Sequence, residues 1–369
     1  MDTFPAGQTN KTNKQLTMYG DQRMLNVRFL EPADEAMWDA YVDAAPDGTL
    51  FHKTAWKRIV AKTFDYTPYY LLAENEKGIC GVLPLFFVKS IFIGKALIST
   101  PFAVYGGMLA SNISVELALF EASKKLSIKL GAQFIELRER SFKKRQELQT
   151  RDSLYVTFQK KIEHSEDAIF KQLPRETRRL IRRANDAGMT ARFSKNMEDL
   201  DSFYDIYAAS VRNLGTPVFP RELFENCLRE LEQHADILLI SRAGNPVAAV
   251  LTFYFRDVVL PYYGGSLPAE RNPSPNNYMY WMLMREAGMR GYNFFDFGRS
   301  KAQTGAYNFK RKMGFQPSSL FYQYYMSGDL PLPNNNPTNP KFKMAIKAWQ
   351  HLPLKVTKVL GPKLVKAFP

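Results

Sequence analysis

An α/β protein built from two similar halves is what the sequence predicts, and three observations carry that expectation. The order strand, polar turn, strand, helix, strand occurs twice along the chain, and each occurrence contains a Tyr-Gly-Gly at a strand end. A hydrophobic content of 45% with 14% aromatics is that of a globular chain. Its 369 residues suffice for two domains of about 150 residues, each with its own core.

The first occurrence runs through 69-YYLLAENEKGICGVLPLFF-87, 103-AVYGGML-109, a helical run and 131-GAQFIELRER-140. The second runs through 236-DILLISRAGNPVAAVLTFYF-255, 261-PYYGGSL-267, another helical run and 291-GYNFFDFGRS-300. Tyr105 and Tyr263 hold the same place in this echo, as do Glu136 and Asp296. The most apolar region, Ile79 to Ala110, is interrupted by Pro84, Lys89, Lys95, Pro101 and Gly106-Gly107. Breaks at that density predict strands and hairpins rather than a membrane-spanning helix, which needs about 20 unbroken apolar residues. Residues 114–130 place Leu117, Leu119, Phe120, Ala122, Leu126 and Ile128 near one face, with lysines opposite. Residues 278–290 are apolar almost all round and predict a buried helix, with Asn277 as its cap. The resulting organisation is a disordered tail over 1–24, domains over 25–165 and 166–330, and a linker with a basic amphipathic helix over 331–369.

Charge narrows the partners. Fifty Lys and Arg against 36 Asp and Glu give a net +14, which favours nucleic acid, a phosphorylated substrate or an acidic membrane surface. Cys80 and Cys227 are too few and too far apart for a disulfide framework or a zinc site, so no metal is expected and a reducing cytoplasm is. The N-terminal residues lack the apolar core of a secretory signal.

Motif searches mostly exclude. Asp296-Phe297-Gly298 would hold magnesium in a kinase, but no H-R-D and no G-x-G-x-x-G accompanies it. G-x-x-x-x-G-K-[ST], G-x-S-x-G and H-E-x-x-H are also missing. What remains is 294-FFDFGRSKAQTGAYNFKRKMGF-315: a strand ending in Asp296, then Arg299, then a helix from about Thr304 to Met313 stopped by Gly314. On that helix Tyr307 and Lys310 are three apart and share a face. Strand ends followed by short loops are where open α/β sheets place their sites. The plainer alternative is that Asp296 caps some neighbouring element and Lys310 is a solvated surface lysine.

Two basic segments stand out. Arg175, Arg178, Arg179, Arg182 and Arg183 crowd one helix, with Arg178 and Arg182 at i, i+4. Leu180, Ile181 and Ala184 give that helix a packed side, so its arginines form either an anion site or a solvated face. Residues 341–369 hold seven lysines and no acid, interspersed with Met344, Ile346, Trp349, Val356, Val359 and Leu360. That composition suits an interfacial helix on anionic lipid, or a docked helix with its lysines outward.

The run 305-GAYNFKRKMGF-315 resembles the closing helix of the Gcn5-related N-acyltransferase (GNAT) fold, although Lys310 stands where a tyrosine is usual. Asp296-Phe297-Gly298 with Gly305 to Lys310, and the arginine helix closed by Gly188, are similar to the Fem-type peptidoglycan aminoacyltransferases, which have two GNAT-like domains. Over residues 25–369, including 213-NLGTPVFPRELF-224 and 275–300, the chain resembles the FemAB-related proteins of PEP-CTERM/exosortase and exopolysaccharide systems.

The resemblance implies tandem GNAT-like domains, each a mixed, mostly antiparallel sheet flanked by helices. It also implies transfer of an aminoacyl or acyl group to an amine on a cell-envelope or exopolysaccharide precursor. Lys310 would then stabilise the tetrahedral intermediate or protonate the leaving oxygen, and Asp296 would take a proton or orient the amine. Tyr307 and Arg299 would hold the substrate, and Arg178 and Arg182 would contact phosphate on an RNA acceptor stem or a lipid-linked diphosphate. Tyr263 and Asn277 complete the substrate-binding set. The loop 266-SLPAERNPSPNN-277 lacks the glycines with which an acyl-CoA enzyme cradles pyrophosphate, so aminoacyl-tRNA is the preferred co-substrate and acyl-CoA the alternative. A non-catalytic GNAT pair scaffolding polysaccharide assembly is the other reading. The expected location is the cytoplasm, peripheral on the inner face of the membrane.

Overall fold

Each half is organised around a helical crossover between two parallel strands. The computed structural model describes residues 25–152, 155–270, 272–328, 331–333 and 340–369. The expected tail over 1–24 and most of the polar linker lie outside the described residues. In the first half, β1 (Phe86–Ser90) and β2 (Gly94–Ser99) form a hairpin. Helix α1 (Ile113–Leu130) then leads to β3 (Phe134–Glu139), parallel to β2 with Ala96 opposite Phe134. Short strands β4 (Tyr155–Thr157) and β5 (Gln159–Lys161) follow, then helices α2 (Arg175–Asp186) and α3 (Met197–Asn213).

The second half repeats the plan. Strands β6 (Ala235–Arg242), β7 (Asn245–Phe255) and β8 (Val258–Ser266) form an antiparallel meander. Helix α4 (Pro275–Met289) then carries the chain to β9 (Phe294–Asp296), parallel to β8 with Val258 opposite Phe294. A parallel pair needs a crossover of this kind, whereas the antiparallel pairs close through short turns. Phe134 and Phe294 occupy equivalent places in the two crossovers, so the registers themselves align Glu136 with Asp296.

The halves exchange strands. After β9 come α5 (Gly305–Lys312) and β10 (Phe321–Met326), and β10 pairs not with its own half but with β3, Tyr324 opposite Glu136. Reciprocally, β5 pairs with β9, Gln159 opposite Asp296. Two six-stranded sheets result, each with a single parallel pair: a mixed, mostly antiparallel sheet flanked by helices, twice over.

Local chemistry explains the element ends. Asn112 caps α1 by accepting from the Val115 N–H, and Gly131 closes it in the left-handed region at φ 62°. The buried stripe of α1 is Val115, Leu119, Phe120, Ser123, Leu126 and Ser127, and the expected Leu117 and Ile128 point outward instead. They lie about half a turn away from Leu119 and Leu126, outside that stripe. Most apolar residues of α4 are buried, as expected. Its cap is not Asn277, however. Pro275, favoured at the first helical position, starts the helix three residues earlier with Ser274 as cap residue, and the Asn277 amide donates to Met313 Sδ.

The Tyr-Gly-Gly echo diverges in conformation. Tyr263-Gly264-Gly265 lies within β8, whereas Tyr105-Gly106-Gly107 is irregular and the chain becomes strand again only at Leu109. A Cβ on Gly106 would sit 2.2 Å from Thr100 Oγ1, and one on Gly107 2.3 Å from Glu139 Oε2, so both glycines serve close approach.

Residues 78–110 hold four strands joined by turns and an irregular stretch, and no helix among the described residues is long and apolar enough to cross a membrane. Helices α6 (Pro340–His351) and α7 (Leu354–Val365) dock on α3 and the loop after it. Trp349 Nε1 donates to Thr216 O at 3.1 Å, and a Cβ on Gly361 would meet Val218 O at 2.5 Å.

Candidate active site at the seam of the two halves

Strand β9 ends at Asp296, and the chain reverses through Gly298, whose φ of 63° is the left-handed conformation that glycine takes without strain. Arg299 follows, then Ser300–Lys301, which pair with β4. Thr304 caps α5, its Oγ1 accepting from the Tyr307 N–H at 3.3 Å, and Gly314 ends the turn beyond it at φ 87°. These local devices hold Asp296, Arg299, Tyr307 and Lys310 around one tight loop.

Asp296 is 2% exposed and accepts three hydrogen bonds. Tyr105 Oη donates to Oδ2 at 2.8 Å, and Thr157 Oγ1 and the Gly298 N–H donate to Oδ1 at 3.1 and 2.7 Å. The Tyr105 and Thr157 oxygens are themselves 2.7 Å apart. Burial, and then the Asp296 charge, push the Tyr105 phenol far up, so it stays a donor at neutral pH. Two hydroxyl protons therefore serve three oxygen–oxygen contacts, which leaves room for one more proton in the triangle.

Glu136, the echo of Asp296, is answered differently. Arg138 Nε pairs with it at 2.7 Å, where the second half has Gly298 and its N–H. The acid of the first half is neutralised by its own strand, and that of the second half is left to hydroxyls from across the seam.

Lys310 is not a solvated lysine. Its Nζ donates to the carbonyl oxygens of Phe297, Gly298 and Arg299 at 2.8, 3.0 and 3.2 Å, and lies over the Phe158 and Phe297 rings. Burial pushes its pKa down to about 7; Asp296 opposes the shift and Arg299 adds to it. The three carbonyl dipoles also favour the charged form. The Tyr307 ring stands edge-on to Phe158 at 5.3 Å, so Tyr307 and Lys310 share one aromatic neighbour.

Arg299 is half-buried among tyrosines. Its guanidinium lies 4.5 Å from the Tyr155 ring and 5.8 Å from that of Tyr322, and Nη1 donates to Tyr322 Oη at 3.0 Å. A bulge in β8 leaves Tyr262 unpaired between Pro261 and Tyr263, and the Tyr262 hydroxyl crosses the seam to Phe102 O at 2.8 Å.

The other expected residues lie apart from this cluster. Tyr263 is in the aromatic core with Tyr207, Phe219, Phe224 and Phe253, its hydroxyl without a partner among the described residues. Arg178 Nη1 donates to Lys171 O at 3.1 Å, and Arg182 lies over the Phe170 ring. The buried face of α2 reaches α5, through Thr177 Oγ1 donating to Lys312 O at 2.7 Å. Tyr105, Thr157, Tyr155 and Tyr322 join the site without having been singled out for it from sequence; only Tyr105 carried a signal, through the echo. Among the described residues no three His, Cys, Asp or Glu side chains converge as metal ligands.

Residues 171–311 match the model of the acetyltransferase (GNAT) domain, a stretch that includes Asp296 and Lys310. No curated protein matches the chain in sequence. Among solved structures it is similar to FemX, at 16% identity and TM-score 0.67, covering 82% of this chain and 97% of that one. It is also similar to L-PGS from Bacillus licheniformis, at 13% identity and TM-score 0.52, covering 90% and 98%. A tandem GNAT protein from the clavulanic acid biosynthesis pathway matches at 10% identity and TM-score 0.52, covering 83% and 100%. At such identities the likeness is one of fold: this chain has the tandem GNAT fold, and its second half carries the acetyltransferase match together with the Asp296–Lys310 cluster.

Proposed function

We propose that the protein is a Fem-type acyltransferase, moving an aminoacyl or acyl group onto an amine of a cell-envelope or exopolysaccharide precursor. One observation carries the reading: the loop that follows a GNAT-type crossover strand holds both a buried carboxylate, Asp296, and a lysine, Lys310, each bonded to Gly298. The amine nitrogen attacks the donor carbonyl, forming the C–N bond while the carbonyl electron pair moves onto oxygen. Asp296 takes the amine proton into the triangle it forms with Tyr105 and Thr157. Collapse breaks the bond to the leaving oxygen, which takes a proton from the Lys310 ammonium. Arg299 and Tyr307 hold the donor, the guanidinium supplying positive charge to it.

The start of α4 favours aminoacyl-tRNA over acyl-CoA. A pyrophosphate cradle needs free N–H groups in the first helical turn. Here Pro275 has none, and the Asn277 N–H is bonded to Ser274 O at 3.1 Å. The acceptor is a phosphorylated or lipid-linked amine reached in the cytoplasm, and the exposed Arg182 on α2 supplies positive charge toward either nucleic acid or diphosphate.

A second reading has its own observation. All three Lys310 donors and both Asp296 oxygens are engaged inside the protein, as they would be in a GNAT pair that binds and scaffolds without catalysis. Binding of purified charged tRNA and of acetyl-CoA to the full chain separates the donors. Saturable binding of charged tRNA, weakened in Arg299→Gln, supports the first choice; saturable acetyl-CoA binding without tRNA binding replaces it with the CoA-dependent alternative.

A further inference from the structure

The outer face of α7 and the tip of the β1–β2 hairpin carry exposed apolar side chains flanked by lysines, of which Lys358 pairs with Asp205. Val356, Val359, Leu360 and Leu364 are exposed at i, i+3, i+4 and i+8 of α7, while Thr357, Gly361 and Val365 face the body. At the hairpin tip Ile91 is 90% exposed and Phe92 49%. The two elements are joined: the Phe92 and Phe368 rings stack at 4.4 Å, and Ser90 Oγ donates to Ala367 O at 2.6 Å. Contiguous exposed apolar surface of this kind marks an interaction site.

Charge selects the partner. Lys89 and Lys95 stand directly opposite each other across the hairpin, a like-charged pair that destabilises a sheet unless something anionic meets it. Lys355, Lys363 and Lys366 are exposed beside the stripe of α7, and residues 340–369 contain no acid. A protein partner would need a flat acidic rim around an apolar centre. A bilayer bearing anionic headgroups offers both at once, with acyl chains for the apolar residues and phosphates for the lysines.

We infer that α7 and the 89–95 hairpin together dock the protein on an anionic membrane surface, with Ile91, Phe92, Val359 and Leu360 entering the headgroup layer. The inference is independent of the acyl-transfer reading and stands or fails without it.

The test is co-flotation of the full chain with vesicles of phosphatidylcholine alone or with roughly a third phosphatidylglycerol. The chain is expected to float with the anionic vesicles, to be released by raised salt, and to stay behind with the neutral ones. Ile91→Ser/Phe92→Ser and, separately, Val359→Ser/Leu360→Ser are each expected to weaken partition roughly tenfold with unchanged melting temperature. Lys89→Ser/Lys95→Ser is expected to remove the preference for anionic lipid. Equal binding to neutral vesicles, no binding, or wild-type partition by both apolar pairs overturns the inference. So does a dimer in solution that the same substitutions dissociate.

Discussion

Tyr105 donates a 2.8 Å hydrogen bond to Oδ2 of Asp296 across 191 residues of chain. The bond ties the irregular Tyr-Gly-Gly of the first half to the crossover strand end of the second. The matched GNAT domain begins at residue 171 and so includes neither Tyr105 nor Thr157. The candidate site is complete only when both halves are docked.

Tyr105→Phe removes one donor from a buried carboxylate and leaves the rest of the ring in place. It is expected to cost about 1–3 kcal/mol of stability, read by urea denaturation, and to lower group transfer about tenfold or more. Thr157→Val tests the second donor in the same way.

Lys310 makes stability depend on pH with a definite sign. Its folded pKa, about 7, lies below 10.5, where a free lysine titrates, so between these values the unfolded chain binds more protons and stability rises with pH. Below about pH 7 the ammonium is charged in both states and the burial cost is present in full. Relative to Lys310→Met, the wild type is expected to gain up to about 1.4 kcal/mol per pH unit over that window, measured by denaturation at about pH 6 and about pH 9. If Lys310 protonates the leaving oxygen, transfer declines as pH rises through about 7, and Lys310→Arg shifts that limb beyond the accessible range.

Arg299 acts through both charge and stacking on Tyr155. Arg299→Lys keeps the charge and loses the planar contact, so donor binding is expected to weaken about fivefold to tenfold. Arg299→Gln is expected to weaken it further and to flatten the salt dependence, read by titration at two ionic strengths.

The exchanged strands couple the halves. With β10 in the first sheet and β5 in the second, residues 25–165 expressed alone lack the antiparallel partner of β3 and expose that edge. That fragment is expected to aggregate, and the full chain to unfold in one transition by calorimetry and circular dichroism.

Much of this was legible in sequence because it is local. Asp296, Arg299, Tyr307 and Lys310 fall within fifteen residues of one another, and Thr304 and Gly314 mark the helix between them. The two crossovers were legible through repetition. The strand exchange and the Tyr105–Asp296 bond were not, because they join segments far apart in the chain whose own patterns are complete without each other. Asn277 misled as a cap because Pro275 sets the helix start, and Leu117 and Ile128 misled because leucine and isoleucine read as core wherever they fall. Arg178 and Arg182 are arranged on one helix as expected, with Arg178 turned to a carbonyl and Arg182 over an aromatic ring, away from the loop.

The most direct test is rescue of a strain lacking the gene by Asp296→Asn and Lys310→Met, each first shown to be folded by its melting curve. An acyltransferase that uses this pair predicts two folded proteins, neither of which restores the wild-type phenotype. Full rescue by both folded variants would contradict catalysis at this site and leave the chain a binding protein.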